Sequence, residues 1–276
     1  MADKRILYVS QEVKPYLPET PESLIGNKLP QSIQDKKYEV RIFMPKYGGI
    51  NERRNQLHEV IRLSGMNIII DDTDHPLIIK VASLQPSRIQ VYFIDSDDYF
   101  QKSKNDIDDF GSNRTDNDER AIFFARGTME TVKKSSWKPS IVHCSGWISM
   151  LTPLYLKKMY SEDPCFRDAK IVYTVFPGTF ERKLDSRLIE KLKMDNIDDS
   201  FLQNVDIENL DINAMHKIAI EYSDAVVFGT ENVDPELIEF VEAKGLPYLT
   251  HDSALLQHPY CVRFSRIQCV DLHRIR

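Results

Sequence analysis

Four side chains of types that bind or transform ligands follow short apolar runs of this chain: His143, Trp147, Phe180 and Tyr16. A histidine can act as a general acid or base, and an aromatic ring offers a flat face on which a ligand can stack. We predict these four as substrate-binding residues, although each residue type also suits a packed core. The sequence shows no paired carboxylates, no nucleophile elbow and no His-Asp-Ser arrangement, so we predict no catalytic residue.

The elements that must position these side chains are predicted β-strands. Residues 5–9, 141–142 and 170–175 are apolar runs with β propensity. Open parallel sheets bind ligands outside the carboxyl ends of their strands. The segments that follow these three runs are therefore expected to form one wall of a groove.

Motifs in a fixed order extend over roughly the first 250 residues. They are Val9 with Glu12, Val13 and Pro15, then Leu29-Pro30, V-R-I-F-M-P-K-Y-G at 40–48, V-Y-F-I-D at 91–95 and D-N-D-E-R at 116–120. In order and spacing they resemble the N-terminal catalytic domain of the bacterial starch/glycogen synthase family. The resemblance implies an α/β fold, with a Rossmann-like doubly wound, mainly parallel sheet and an added β-hairpin region, as one half of a GT-B glycosyltransferase. It also implies descent from enzymes that transfer glucose from ADP-glucose to an α-1,4-glucan.

The loop after the first strand departs from the family pattern, because K-T-G-G-L becomes Pro18 to Glu22. Glycines let backbone N–H groups approach a phosphate, and lysine supplies positive charge. Here Pro18 and Pro21 remove two N–H donors, while Glu19 and Glu22 add negative charge that would repel a sugar nucleotide. Alternatively, Pro21 and Glu22 simply begin a helix, since proline suits the first helical position and an acid suits the positive end of the helix dipole.

Two further family motifs, H-C-H-D-W and H-N-x-x-Y-Q-G, are altered at strand ends. The replaced polar positions are Ser145, Gly146, Phe176 and Pro177. His143 and Trp147 match the first motif, and Phe180 keeps the aromatic ring of the second. Strands need only apolar side chains, whereas a site needs particular groups, so this pattern favours a fold retained without its original chemistry.

We therefore predict a starch/glycogen synthase catalytic-domain homologue in glucan metabolism, catalytically incompetent alone and acting as a glucan-binding or regulatory pseudoenzyme. The predicted partner is an α-glucan, with ADP-glucose bound weakly or not at all. Whether the chain is an enzyme stays open, because the alternative is an active or split ADP-glucose:α-1,4-glucan glucosyltransferase completed by a companion C-terminal domain. The family's enzymes need about twice this length, and residues exposed at strand ends, such as Phe176, would suit such a companion.

Composition and charge narrow the remaining function classes. A net charge of −6 argues against nucleic acid and anionic membranes as partners. No apolar run approaches the ~20 residues that span a bilayer, and Met1 to Arg5 leads directly into a strand, so we predict a cytoplasmic protein. The four cysteines have no metal-ligand spacing, and we predict neither a metal nor a cofactor.

The rest of the sequence predicts alternating helices and strands. Helices are predicted from Pro21, with a bend at Pro30, and over 147–159, 185–194, 212–222 and 235–243. A further helix is predicted to begin after Asp116, in capping-box spacing with Glu119. Hairpin strands are predicted over 66–70, 77–81 and 88–94, and a buried strand over 225–228.

Two segments have a different character. The polar segment 101–115 has little to bury and predicts a mobile surface loop or, alternatively, a lid that contacts a glucan. We divide the chain into a Rossmann domain, residues 1–250, and an atypical tail, residues 251–276. The tail resembles nothing in the family, and we interpret it as a poorly packed partner-binding segment or a frameshift product.

Overall fold

A computed structural model describes residues 5–177, 183–202 and 209–251, without the side chains of residues 201 and 202. Phe180 and residues 252–276 lie outside the described residues. The strands are β1 Arg5–Ser10, β2 Glu39–Pro45, β3 His58–Glu59, β4 Met66–Ile70, β5 Thr73–Leu84, β6 Ile89–Asp95, β7 Ile141–Ser145, β8 Lys170–Val175, β9 Ala225–Phe228 and β10 Tyr248–Leu249. The α-helices are α1 Pro21–Asp35, α2 Asn117–Lys134, α3 Thr152–Lys158, α4 Leu188–Met194, α5 Ile212–Glu221 and α6 Pro235–Ala243, with short 3-10 helices at Trp147–Ser149 and Asp199–Leu202.

The strands form one sheet in the order β10-β9-β8-β7-β1-β2-β6-β5-β3, and β4 pairs with β5. From β10 to β6 every pair is parallel, whereas β3, β4, β5 and β6 are joined by antiparallel pairing. The chain runs outward from β1 through β2 to β6, and then outward in the other direction from β7 to β10. The order therefore reverses between β1 and β7, which is where a doubly wound sheet opens a ligand crevice.

The central strands are apolar because both faces of the sheet are covered. After its first residue β1 is buried throughout, as is β8, and β7 and β9 are buried along their whole length. Such strands lack the alternating pattern of a half-exposed sheet. The predicted α/β fold, including the hairpin region at β3 to β6, is confirmed.

Three helix predictions need correction. The helix predicted over 147–159 is a 3-10 turn followed by α3, since Pro153 has no N–H with which to continue the first turn into the second. Helix α4 begins at Leu188, three residues later than predicted. Helix α2 begins as predicted, but Asp116 makes no side-chain cap. Its predicted partner Glu119 instead accepts a hydrogen bond from Tyr99 at 3.0 Å.

The polar segment 101–115 is a loop that two arginine side chains fix in place. Arg120, only 1% exposed, donates hydrogen bonds to the carbonyl oxygens of Tyr99, Phe110 and Gly111, at 2.9, 2.6 and 3.1 Å. Arg114 forms a bidentate pair with Asp106, at 2.7 and 2.8 Å. Arg120 thus ties the segment to α2, and Arg114 braces it internally. Residues 101–115 form an irregular loop in which only Gly111 and Ser112 are buried, so the predicted surface loop agrees with the structure, and its mobility stays a prediction.

Within the described ranges, the helices are all too short or too polar to cross a membrane.

Candidate functional site

A cavity of about 150 Å³ lies at the carboxyl ends of β1, β7 and β8, where the strand order reverses. Its walls are Gln11, Glu12, Glu22, Asp108, Phe110, Ser112, Gly146, Trp147, Phe176 and Pro177. Three of these residues carry carboxyl groups, and none of the described residues that line the cavity is basic. The position is the one that the sheet topology predicts for a ligand, but the wall is acidic.

Glu12 follows β1 and is held by two hydrogen-bond donors. Gln11 Nε2 donates to Glu12 Oε1 at 3.1 Å, and Thr20 Oγ1 donates to Glu12 Oε2 at 2.6 Å. Burial raises the pKa of Glu12, and these two hydrogen bonds act in the opposite direction. Both carboxyl oxygens of Glu12 are therefore engaged by the protein.

Glu22 reaches the cavity because of the way in which α1 begins. Thr20 caps the helix in a capping box, in which Ser23 N donates to Thr20 Oγ1 at 3.0 Å and Thr20 N donates to Ser23 Oγ at 2.9 Å. Pro21 occupies the first helical turn, as predicted, and the next residue points inward. The side chain of Glu22 is buried, with 7% of the residue exposed, so the interpretation of Pro21 and Glu22 as a helix start is confirmed.

The chemical state of Glu22 differs from the one assumed from the sequence. Burial, followed by the nearby charge of Glu12, raises the pKa of Glu22 well above its ordinary value, while a hydrogen bond with Ser145 lowers it. Glu22 Oε1 has no hydrogen-bond partner among the described residues. Glu19, in contrast, is exposed and pairs with Lys14. The raised pKa favours the uncharged form of Glu22, whereas the hydrogen bond with Lys14 lowers the pKa of Glu19, and the negative charge predicted at Glu19 stands.

Gly146 lies directly against Glu22 and has a backbone conformation that suits glycine, with φ 78° and ψ 161°. A Cβ atom here would overlap Glu22 Oε1 and Gln11 Cβ, and would lie 2.8 Å from Gln11 Oε1. Gln11 is itself fixed to this turn, since its Oε1 accepts from Trp147 N at 2.9 Å. The volume beside Gly146, where the family motif has an aspartate, is therefore filled by the carboxyl group of Glu22.

Asp108 enters the cavity wall from the segment that Arg120 and Arg114 hold in place. Its Oδ1 accepts hydrogen bonds from Phe110 N at 2.9 Å and Ser112 N at 3.1 Å. The segment thus lines the cavity through Asp108, Phe110 and Ser112, and a lid that contacts a glucan stays a prediction.

Of the three predicted substrate-binding residues that the structure describes, Trp147 lies at the cavity and Tyr16 and His143 do not. Trp147 lines the cavity and is 4% exposed, with the Arg120 guanidinium 5.5 Å from its ring centroid. Tyr16 is buried edge-on against Phe93 at 4.9 Å, and burial raises its pKa to about 12. Phe180 lies outside the described residues.

His143 lies in the core of the sheet instead of the cavity wall. Its Nε2 is 2.6 Å from Thr174 Oγ1 on β8, and its ring centroid is 5.0 Å from that of Tyr8 on β1. Burial lowers the pKa of His143 to about 3, so the neutral ring is favoured. This is the environment of a packed histidine.

Phe176 also differs from its prediction, because it is buried and only 5% exposed. Its ring lies against Gly229, where a Cβ atom would come within 2.5 Å of Phe176 Cε1. The expectation of an exposed apolar strand end at Phe176 is wrong. Sequence reasoning placed Glu22 in the ligand-facing loop but did not single out Gln11 or Asp108 as wall residues. The strand-end position of Gln11 could have indicated its place, whereas Asp108 comes from a distant segment.

Among the described residues, no group of three or more His, Cys, Asp or Glu side chains is arranged to hold a metal ion.

The sheet order and its crevice define the class, a Rossmann-like α/β domain of the kind found in one half of a GT-B glycosyltransferase. The sequence profile of the family described as starch synthase catalytic domain matches residues 5–250. The chain belongs to this family, and the predicted resemblance is confirmed.

Individual relatives agree with the family match. The chain is 32% identical over 236 residues to a glycogen synthase of Pelodictyon phaeoclathratiforme, covering 85% of the chain and 47% of that relative. It is 35% identical over 208 residues to a glycogen synthase of Chlorobium limicola, covering 75% and 42%. The chain thus spans less than half the length of these curated relatives.

A solved structure supports the fold. The catalytic domain of starch synthase IV from Arabidopsis thaliana, bound to ADP and acarbose, aligns with a TM-score of 0.61. The alignment covers 82% of this chain and 45% of that one, at 17% sequence identity.

Proposed function

We propose that this chain is a glucan-binding pseudoenzyme of the starch synthase catalytic-domain family, unable by itself to transfer glucose from ADP-glucose. The acidic cavity wall carries the proposal. Glu12, Glu22 and Asp108 line the crevice, and no described lining residue is basic. A diphosphate brought to this wall would meet carboxylates without a compensating cation, which is unfavourable at short range.

The start of α1 supports the same conclusion. Phosphate sites at helix N-termini need free backbone N–H groups. Here Pro21 has none, the N–H groups of Thr20 and Ser23 are used in the capping box, and Leu24 N donates to Thr20 O at 3.0 Å. Except for Glu22 N, the backbone positions at this helix start therefore have no N–H group or one that is already used, so we infer weak or no binding of ADP-glucose.

A neutral glucan suits the same wall better than an anion does. Sugar hydroxyl groups both donate and accept hydrogen bonds. An ionised carboxyl group can accept from them, and a protonated one can also donate to them. Phe110, which is half-buried, offers a ring of the kind on which sugar rings pack, whereas the rings of Trp147 and Phe176 are buried in the wall. We infer an α-glucan as the partner, and a cytoplasmic location stays a prediction from the sequence.

The test combines two assays on the purified 276-residue chain. Labelled glucose is offered as ADP-glucose with glycogen as acceptor, and binding is measured by retention on immobilised amylose with elution by maltose. We expect no incorporation above a no-protein control, together with retention on amylose. Labelled glucose in glycogen above the control would show that the chain transfers glucose by itself and would refute this part of the proposal. Passage through the amylose column without delay would refute glucan binding.

The length of the relatives favours one alternative. Because the glycogen synthases are about twice as long as the matched segment, a separate C-terminal domain could complete an ADP-glucose:α-1,4-glucan glucosyltransferase with this chain. Adding the isolated C-terminal half of a related glycogen synthase to the same assay distinguishes the two. Transfer that appears only in the mixture would establish the split enzyme, and its absence would leave the binding role.

A further inference from the structure

One carboxyl oxygen of Glu22 is buried at the cavity wall without a hydrogen-bond partner in the described part of the chain. The residue is 7% exposed, it lines the crevice, and its Oε1 has no hydrogen-bond partner among the described residues. Leaving a buried polar atom unpaired is costly. Because this atom borders a cavity, a bound molecule can supply the missing partner.

The groups around Glu22 determine which proton state it offers. The titratable and charged groups that face it or interact with it are Glu12, Tyr47, Asp108, Arg120 and Tyr173, and the neutral neighbours are Gln11, Ser145 and Gly146. Two donors already engage Glu12 and lower its pKa, but burial outweighs them and leaves that pKa raised. Burial and the charge of Glu12 raise the pKa of Glu22, which favours an uncharged acid with one O–H donor and one free acceptor.

The size and lining of the cavity restrict the ligand. A volume of about 150 Å³ is smaller than the roughly 300–1,000 Å³ of sites for drug-sized molecules. A single hexose unit suits this volume better than a nucleotide does. The acidic groups of Glu12 and Asp108 disfavour an anion, and the half-buried ring of Phe110 provides an aromatic surface.

We propose that Glu22 is a specificity-determining residue of this crevice, whose carboxyl group hydrogen-bonds a hydroxyl group of one uncharged hexose unit. The proposal rests on the proposed glucan binding and adds the residue that makes the contact. Gly146 is part of the arrangement, because a side chain there would displace the Glu22 carboxyl. The acid of this wall thus comes from α1, whereas the family motif places one at the end of β7.

Maltotriose is the probe, titrated calorimetrically against the wild-type chain and three variants. Glu22→Leu removes both hydrogen-bonding atoms, and Glu22→Gln keeps a donor and an acceptor. Glu236→Gln is the matched control, since Glu236 also follows a proline at a capped helix start but is exposed. We expect Glu22→Leu to weaken the Kd about tenfold, with Glu22→Gln within about threefold and the control unchanged.

The pH dependence gives a readout that a purely structural role would not change. As pH rises through the pKa of Glu22, the wild type should bind maltotriose more weakly, because the carboxylate loses its donor and gains a charge beside Glu12. Glu22→Gln should bind independently of pH over the same range. In the infrared spectrum, a carboxylic-acid carbonyl band should shift with maltotriose and be absent from Glu22→Gln.

Failure of this contact is distinguishable from failure of glucan binding. If the wild type and Glu22→Leu bind maltotriose equally, the Glu22 contact is refuted while glucan binding stands. If the wild type binds no maltotriose, both are refuted. Melting temperatures control for folding, and we expect Glu22→Leu to melt no lower than the wild type, because an apolar side chain removes a buried acid.

Discussion

At the scale of single residues, the cavity depends on a reciprocal fit between Glu22 and Gly146. Glu22 can occupy its place only because position 146 has no Cβ, and Gly146 adopts a positive φ that other residues rarely adopt. Loss of an acid at one strand end and gain of an acid at a neighbouring helix start are therefore one structural change.

This fit predicts the effect of Gly146→Ala. The substitution should lower the free energy of unfolding by about 1–3 kcal/mol more than Gly65→Ala, because overlap with Glu22 and Gln11 is added to the strain of a positive φ. Gly65 is the matched control, with φ 80° and nothing within 4 Å of an added Cβ. Urea unfolding of both variants measures the difference, and equal losses would show that the Glu22–Gly146 contact is loose.

At the scale of elements, the segment 101–115 acts as a wall because α2 anchors it. The buried guanidinium of Arg120 is the centre of that anchor, and it also donates a hydrogen bond to Asn117 Oδ1 at 2.6 Å. Two carbonyl oxygens of the segment, those of Phe110 and Gly111, and that of Tyr99 just before it accept hydrogen bonds from the same side chain.

Arg120→Ala should therefore destabilise the protein by about 3 kcal/mol, because it leaves buried carbonyl oxygens without donors. Hydrogen exchange of residues 101–115 should rise more than exchange of β1 or β7. Arg167→Ala serves as control, since Arg167 is exposed and contacts only Asp168 among the ion pairs found. An unchanged exchange rate in residues 101–115 would mean that this segment is held by other contacts.

At the scale of the whole molecule, acid stability should depend on histidines enclosed by the sheet and its helices. His143 and His216 are 3% and 2% exposed, and burial lowers their pKa values to about 3 and about 4. Since the folded pKa lies below the unfolded one, the unfolded chain binds more protons below pH 6.5. Each ring thus contributes stability that is present above pH 6.5 and is lost as pH falls towards the folded pKa.

A comparison of the wild type with His143→Ala tests whether the buried histidine ring makes stability fall at low pH. The difference in unfolding free energy between the two should shrink by about 2 kcal/mol from pH 7 to pH 5, because only the wild type must keep this ring neutral. His58→Ala, at an exposed position in β3, should show no such change. His143→Ala should also alter the melting temperature more than amylose retention, and the reverse ranking would restore His143 as a binding residue.

The sequence by itself determined the family, the α/β fold and the approximate place of most elements. Apolar runs such as residues 170–175 can be buried in only a few ways, and Pro21 with Glu22 after Thr20 is a local helix-start signal that needs no tertiary contact. It also indicated that the ligand-facing strand ends had changed, although of the three described residues that it predicted to bind substrate only Trp147 lies on the cavity wall.

Only the tertiary structure decided what these changes do. The pKa of Glu22 depends on burial and on Glu12, ten residues away, and its fit depends on Gly146, which is distant in sequence. Asp108 reaches the cavity through Arg120, and Phe176 is covered by contact with Gly229. Desolvation, steric overlap and charge proximity are properties of atoms brought together by folding, so residue types and spacing alone could not predict them.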